Sequence, residues 1–175
     1  VEIRSSSDRK PIEKPWATNG HQGKRAHNIV NSLYLKAPDL EALVRERFKR
    51  YEEIKKTQQR AEEYLVEDAD YVVVAYGASA RVSRSAVNAA REKGIKAGLI
   101  RPITLWPFPA DAIQKAAHHV KGFLTVEMSM GQMVDDVRLV VNGEKPVEFY
   151  GRTGGVIPTP GEVLNAIENM MGGAK

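Results

Sequence analysis

One stretch constrains this chain more than any other. Tyr71-Val-Val-Val-Ala-Tyr-Gly-Ala-Ser-Ala80 passes from a β-branched run through a glycine turn into small residues. A short valine-rich run bounded by such a turn reads as a strand, and the residues after it as a helix. Ser79 is expected to cap that helix, and Gly94 to close it as the residue just past the helix end. A second strand, Lys96–Arg101, leads into Trp106-Pro-Phe-Pro109, an elbow stiffened by two prolines and carrying two large aromatics. The alternation continues with a helix opened by Pro109 and closed by Gly122, a strand over Phe123–Glu127 and a helix over Gln132–Val141. Val137–Val141 taken alone also fits a strand. A strand over Val147–Tyr150 follows, then a helix behind the capping box Thr159-Pro-Gly-Glu162. Helices between strands of this kind require right-handed crossovers and a mostly parallel sheet. The expected class is α/β.

Upstream of the alternation the pattern differs. Residues 1–37 read as an irregular arm, rich in turn formers such as Ser5-Ser-Ser-Asp8 and His21-Gln-Gly23, with Ile29–Leu35 a candidate edge strand. Residues 38–66 read as a long amphipathic helix capped by Asp39, with Leu40, Leu43, Val44, Phe48, Tyr51, Ile54, Ala61 and Leu65 on one stripe. Residues 67–175 form the α/β domain. At 175 residues and 42% apolar content the chain can bury a sizeable core. It begins Val-Glu-Ile-Arg without methionine, so the expectation is a start inside a longer polypeptide.

Composition closes off several functions. The chain has no cysteine, which excludes disulfides, a thiol nucleophile and cysteine ligation of an iron–sulfur cluster by this chain. It fits a reducing compartment, and the cytoplasm is the expected location. No apolar run approaches the roughly 20 residues of a membrane span. The net charge of +4 lies wholly within residues 1–66, where the basic side chains alternate with glutamates and make no stripe for nucleic acid. Gly23-Lys24-Arg25 fails as a phosphate loop, because Thr18 stands for the first glycine and Arg25 for the magnesium hydroxyl. The four histidines, with His118 and His119 expected in a helix's last turn, have no zinc spacing, and no metal site is expected. Asp135 and Asp136 are helix neighbours about 100° apart and read as a solvated face.

In open parallel sheets, ligands and partners meet the carboxyl ends of the strands. Those ends carry Tyr76, Gly77 and Ser79, then Arg101, Glu127, and Arg152-Thr153-Gly154. Two readings stand. Either the arginines and helix N–H groups form an anion or phosphate site, or Glu127 pairs with an arginine and the rim is a polar protein interface. Gly77-Ala-Ser-Ala lacks the glycines of a dinucleotide fingerprint. Trp106 and Phe108 either wedge into the core or dock on a partner.

Four segments agree in order and spacing with one family. Val73-Val-Ala-Tyr-Gly-Ala-Ser-Ala-Arg81, Gly94 through Pro109, Val126-Glu-Met-Ser-Met-Gly-Gln-Met-Val-Asp-Asp-Val137 and Phe149-Tyr-Gly-Arg-Thr-Gly-Gly155 resemble the C-terminal region of the α-type subunit of 2-oxoacid:ferredoxin oxidoreductases. The likeness is nearest to branched-chain (2-oxoisovalerate, or 3-methyl-2-oxobutanoate) members, with 2-oxoglutarate members next. It implies a transketolase C-terminal-like domain: a three-layer α/β/α sandwich around a mostly parallel five-stranded sheet with one antiparallel strand. Four strands are found above, so the fifth is expected from the arm or from the stretch read as helix. The resemblance also implies a complex using thiamine diphosphate, Mg²⁺, 4Fe–4S clusters and CoA, with electrons passing to ferredoxin. Those groups would sit on other domains and subunits of a hetero-oligomer, leaving this chain without catalytic residues and inactive alone. Its rim would then face neighbouring domains or lie near CoA.

Overall fold

The computed structural model describes residues 12–18, 20 and 22–172. The chain divides into two units, Val1–Val44 and Arg45–Lys175, and one helix, α1 (Ala37–Thr57), runs from the first into the second. Before α1 the described residues form turns and coil, tied by hydrogen bonds from Arg25 Nη2 to the Ala17 carbonyl (3.0 Å) and from Asn28 Nδ2 to the Trp16 carbonyl (3.1 Å). Residues 29–35 do not form the expected edge strand; they join no ladder, and Ile29, Val30 and Leu35 lie exposed. Strand propensity expresses itself only where a neighbouring edge supplies hydrogen bonds and a packing surface. Ser5–Asp8 and His21 lie outside the described residues.

The helix expected over 38–66 is shorter at its far end. Its first backbone bonds run from Asp39 and Leu40 N–H to the Lys36 carbonyl, so Asp39 lies in the first turn instead of capping. A carboxylate there still favours the positive end of the helix. The helix stops at Thr57, and Ala61–Tyr64 forms a strand, β1. Four further strands follow: β2 (Tyr71–Val74), β3 (Ala97–Pro102), β4 (Gly122–Glu127) and β5 (Val147–Gly151). Their order is β1-β3-β2-β4-β5, with β1 antiparallel to β3 and the other pairs parallel. The fifth strand therefore comes from the end of the stretch read as helix.

Four helices cover the two faces: α2 (Gly77–Glu92), α3 (Ala110–Ala117), α4 (Met133–Val141) and α5 (Pro160–Gly172). Side chains alternate across each strand, so Val73, Leu99, Leu124 and Val126 meet α2 and α5, through Val87, Ala90, Val163 and Ile167. Val72, Val74, Ile100 and Phe123 meet α3 and α4, through Ile113, Ala116, Met133 and Val137. The result is a three-layer α/β/α sandwich around a mostly parallel five-stranded sheet. β2, β3 and β4 are buried almost throughout, as strands covered on both faces must be.

The helix ends show which local signals hold. Gly94 lies past the end of α2 at φ +79°, and Asn142 ends α4 in the left-handed region. The capping box closes as expected: Glu162 N–H donates to Thr159 Oγ1 (3.3 Å), and Thr159 N–H donates to Glu162 Oε2 (2.7 Å). Ser79 does not cap α2; the capping residue is Tyr76, and Ser79 is buried in the first turn. Pro109 caps α3 instead of opening it. That helix ends at Ala117, with His118 as its cap, so neither His118 nor His119 is in the last turn. His119 Nε2 lies 3.0 Å from the Val66 carbonyl. Gly122 belongs to β4.

Candidate functional site at the carboxyl ends of the strands

The carboxyl ends of the four parallel strands bring four loops to one rim. Tyr76 and Gly77 sit at the turn into α2, Gly77 at φ +58°. Arg101 lies near the end of β3, but its side chain turns to the neighbouring β1: Nε donates to Glu62 Oε2 at 2.8 Å. Glu62 also takes a bond from Arg84 Nη1 at 2.8 Å, and the Arg84 guanidinium lies 4.0 Å over the Tyr64 ring. The Arg101 hydrogen bond holds the Glu62 carboxyl below the usual range. Arg152, just past β5, pairs with Glu162 at 3.0 Å, and exposed Thr153 and Gly154 follow it in the turn. Hydrogen bonds from the Thr159 backbone and hydroxyl hold Glu162 below the carboxylate range, with Arg152 adding to the effect. Both rim arginines thus already face carboxylates.

Glu127 does not pair with an arginine. It is 2% exposed, and its oxygens accept the N–H groups of Gln132 (3.2 Å), Met133 (3.0 Å) and Val134 (2.9 Å) and the Ser129 hydroxyl (3.1 Å). It closes the amino end of α4 from six residues upstream of the helix. The structure joins it to the Arg152 loop through the main chain, where Arg152 N–H donates to the Glu127 carbonyl at 3.1 Å. Arg101 is not brought to that pair.

The aromatic elbow divides. Phe108 packs partly buried against the core on the α3/α4 face. Trp106 stays 55% exposed and meets Tyr51 of α1 edge-on, with ring centroids 5.3 Å apart.

The loops also carry a feature that no motif marks. Exposed apolar residues follow each parallel strand: Tyr76 after β2, and Ile103 and Leu105 beside Trp106 after β3. Met128 and Met130 follow β4, and Val156 and Ile157 follow β5. The opposite rim is edged by Asp68, Asp70, Lys93, Lys96 and Lys121, paired in part as Asp68–Arg91 and Asp70–Lys121. The sequence signal was available: apolar residues placed one to six positions beyond a strand end, where turns are ordinarily polar. Away from the rim, a cavity of about 370 Å³ lies between β5 and α5, lined by Phe149, Tyr150, Ala166 and Met170.

The hydroxyls that lie beside carboxylates at the rim, Ser129 on Glu127 and Thr159 on Glu162, both belong to turns that tie a helix start. Among the described residues no group of three or more His, Asp or Glu could hold a metal ion. Asp135 and Asp136 lie exposed in the first turn of α4, where they favour the helix dipole, and Arg138 pairs with Asp135.

Comparison with known proteins agrees in sequence and in fold. The ketoisovalerate oxidoreductase subunit VorB of Methanothermobacter thermautotrophicus is 43% identical over 157 residues, 90% of this chain. The 2-oxoglutarate synthase subunit KorA of Methanothermobacter marburgensis is 43% identical over 104 residues, covering 59% of this chain and 28% of that protein. The chain spans only 44% of the length of the VorB relative. Among solved structures, 2-oxoglutarate:ferredoxin oxidoreductase from Magnetococcus marinus superposes with a TM-score of 0.63 at 21% identity, over 78% of this chain and 24% of that one. A split-gene transketolase, an inactive tetramer, superposes with a TM-score of 0.54 at 21% identity, over 63% of this chain and 40% of that one. At such identity the likeness is one of fold. The sequence model of the pyruvate:ferredoxin oxidoreductase core domain II matches residues 69–163, more than half of the chain, and the chain belongs to that family.

Proposed function

We propose that this chain is the domain II part of a subunit of a 2-oxoacid:ferredoxin oxidoreductase acting on 2-oxoisovalerate. The complex would convert the 2-oxoacid and CoA to an acyl-CoA and CO₂, with the electrons passing to ferredoxin. The observation that carries the reading is the extent of the VorB likeness. It covers 90% of the chain and so reaches well outside the family core at residues 69–163, whereas the KorA likeness covers 59%.

The residues present do not fit the cofactors that such a complex implies. Without cysteine the chain has no thiolate for an iron–sulfur cluster. Among the described residues the one buried carboxylate, Glu127, is occupied by the amino end of α4. Thiamine diphosphate, Mg²⁺ and the clusters therefore belong, in this reading, to other parts of a cytoplasmic hetero-oligomer. This chain contributes structure and the apolar rim through which it joins them. The committed state of Arg101 and Arg152 also weighs against a stand-alone phosphate or CoA module.

The test is an assay of the complex purified through this chain, with 2-oxoisovalerate and 2-oxoglutarate run side by side. A kcat/KM at least tenfold in favour of the branched acid, about 1.4 kcal/mol of transition-state discrimination, supports the reading. A preference for 2-oxoglutarate moves the chain to the other branch.

A further inference from the structure

The turn between β4 and α4 is clamped from below while its tip presents apolar side chains to solvent. Glu127 accepts three successive backbone N–H groups of the α4 amino end, where a carboxylate complements the helix dipole. The Ser129 hydroxyl ties the turn further, donating to Glu127 and accepting the Gly131 N–H at 3.1 Å. The next loop closes against it. A Cβ on Gly151 would run into the Ser129 carbonyl and the Phe149 ring, and Gly131, at φ +109°, lies against Val134 and the same ring. Above this base Met130 is 84% exposed and Met128 41%, with Val156 and Ile157 exposed on the neighbouring loop. No charged side chain lies between residues 128 and 132.

Exposed methionine on a mobile loop would be unremarkable, but here a buried carboxylate fixes the main chain that carries it. A main chain held in place beforehand loses less entropy on binding, and the methionine side chains it carries can shape themselves to an irregular apolar surface. We infer that Met128 and Met130 form a preorganised contact that inserts into an apolar surface of another domain of the same kind of polypeptide. The absence of charge argues for protein over a phosphate ligand, since the guanidinium of the neighbouring loop, Arg152, is held by Glu162. The VorB relative supplies the occupant's class: this chain spans 44% of it, so more than half of that polypeptide lies outside the matched segment. The inference rests on the reading above and adds which residues make the contact.

Peroxide footprinting with mass spectrometry tests it, comparing the chain alone with the purified complex containing it. Met130 should oxidise about tenfold more slowly in the complex, while Met171 on α5, also exposed, serves as the internal reference. Met130→Asp should weaken association about 30-fold without moving the unfolding midpoint of the chain, because the side chain touches little within it. Glu127→Gln should weaken association less and speed amide exchange at residues 132–134. Equal oxidation of Met130 in a complex that turns over its substrate would overturn the inference and leave the functional reading standing. Unchanged association of Met130→Asp would overturn it too. A wild-type chain that joins no complex would remove both.

Discussion

Replacing Glu127 by alanine is the sharpest perturbation of this fold that leaves its hydrophobic core intact. The carboxylate accepts three main-chain N–H groups, and those of Met133 and Val134 are fully buried. Removing it leaves those two donors without an acceptor at about 1–3 kcal/mol each. The Gln132 N–H and the Ser129 hydroxyl are only partly buried and can turn to water. Against this, the variant no longer desolvates a charge, which returns part of the loss. The net cost is about 3 kcal/mol, a large fraction of the roughly 5–15 kcal/mol that stabilises a domain. For a unit of this size the melting temperature should fall by about 10 °C. Calorimetry measures it, with Glu127→Gln expected to lose roughly half as much because one oxygen acceptor remains. A fall under about 3 °C in the alanine variant would refute the view that this carboxylate secures the start of α4.

Other perturbations probe different parts of the account. Gly151→Ala should cost about 2 kcal/mol in urea unfolding, since its Cβ has no room beside the Ser129 carbonyl and the Phe149 ring. Trp106→Ala should remove about 1 kcal/mol of edge-on aromatic contact with Tyr51, read as faster amide exchange over residues 48–57 with little change in the sheet. Asp68 is held below the usual carboxylate range chiefly by its hydrogen bond from Arg91, so the stability it contributes is present above its unfolded pKa. It is lost as pH falls through the lower folded value. The stability gap between the wild type and Arg91→Met should therefore narrow on going from about pH 7 to about pH 2. An unchanged gap would show that Arg91 acts only through its bonds to the Leu65 and Ala97 carbonyls.

The parallel strands were legible because burial on both faces writes itself into sequence: Tyr71-Val-Val-Val74 and Phe123-Leu-Thr-Val126 have almost no polar alternative. β1 was not legible. Ala61-Glu-Glu-Tyr64 is an edge strand held by pairing with β3 and by ion pairs from Glu62 to Arg84 and Arg101 and from Glu63 to Lys115. Its partners lie about 20 to 50 residues away, and a charged edge strand has little local signature. Ala61 and Leu65 also happened to extend the helical stripe. At the rim, strand ends could be placed from sequence, but pairing could not. Glu127 looked like an arginine partner because a carboxylate at a strand end shows its charge and conceals its acceptors. The backbone donors it serves lie five to seven residues on, beyond the reach of the usual capping box. Arg101 and Arg152 looked available for an anion until Glu62 and Glu162 folded against them.

The central claim is that this chain is a supporting domain whose chemistry is carried by its neighbours. The most direct measurement is CoA-dependent reduction of a low-potential viologen dye by 2-oxoisovalerate, made on the chain alone and on the complex purified through it. The account predicts turnover by the complex and none by the chain. Turnover by the isolated 175 residues, or a complex inactive toward every 2-oxoacid offered, would contradict it.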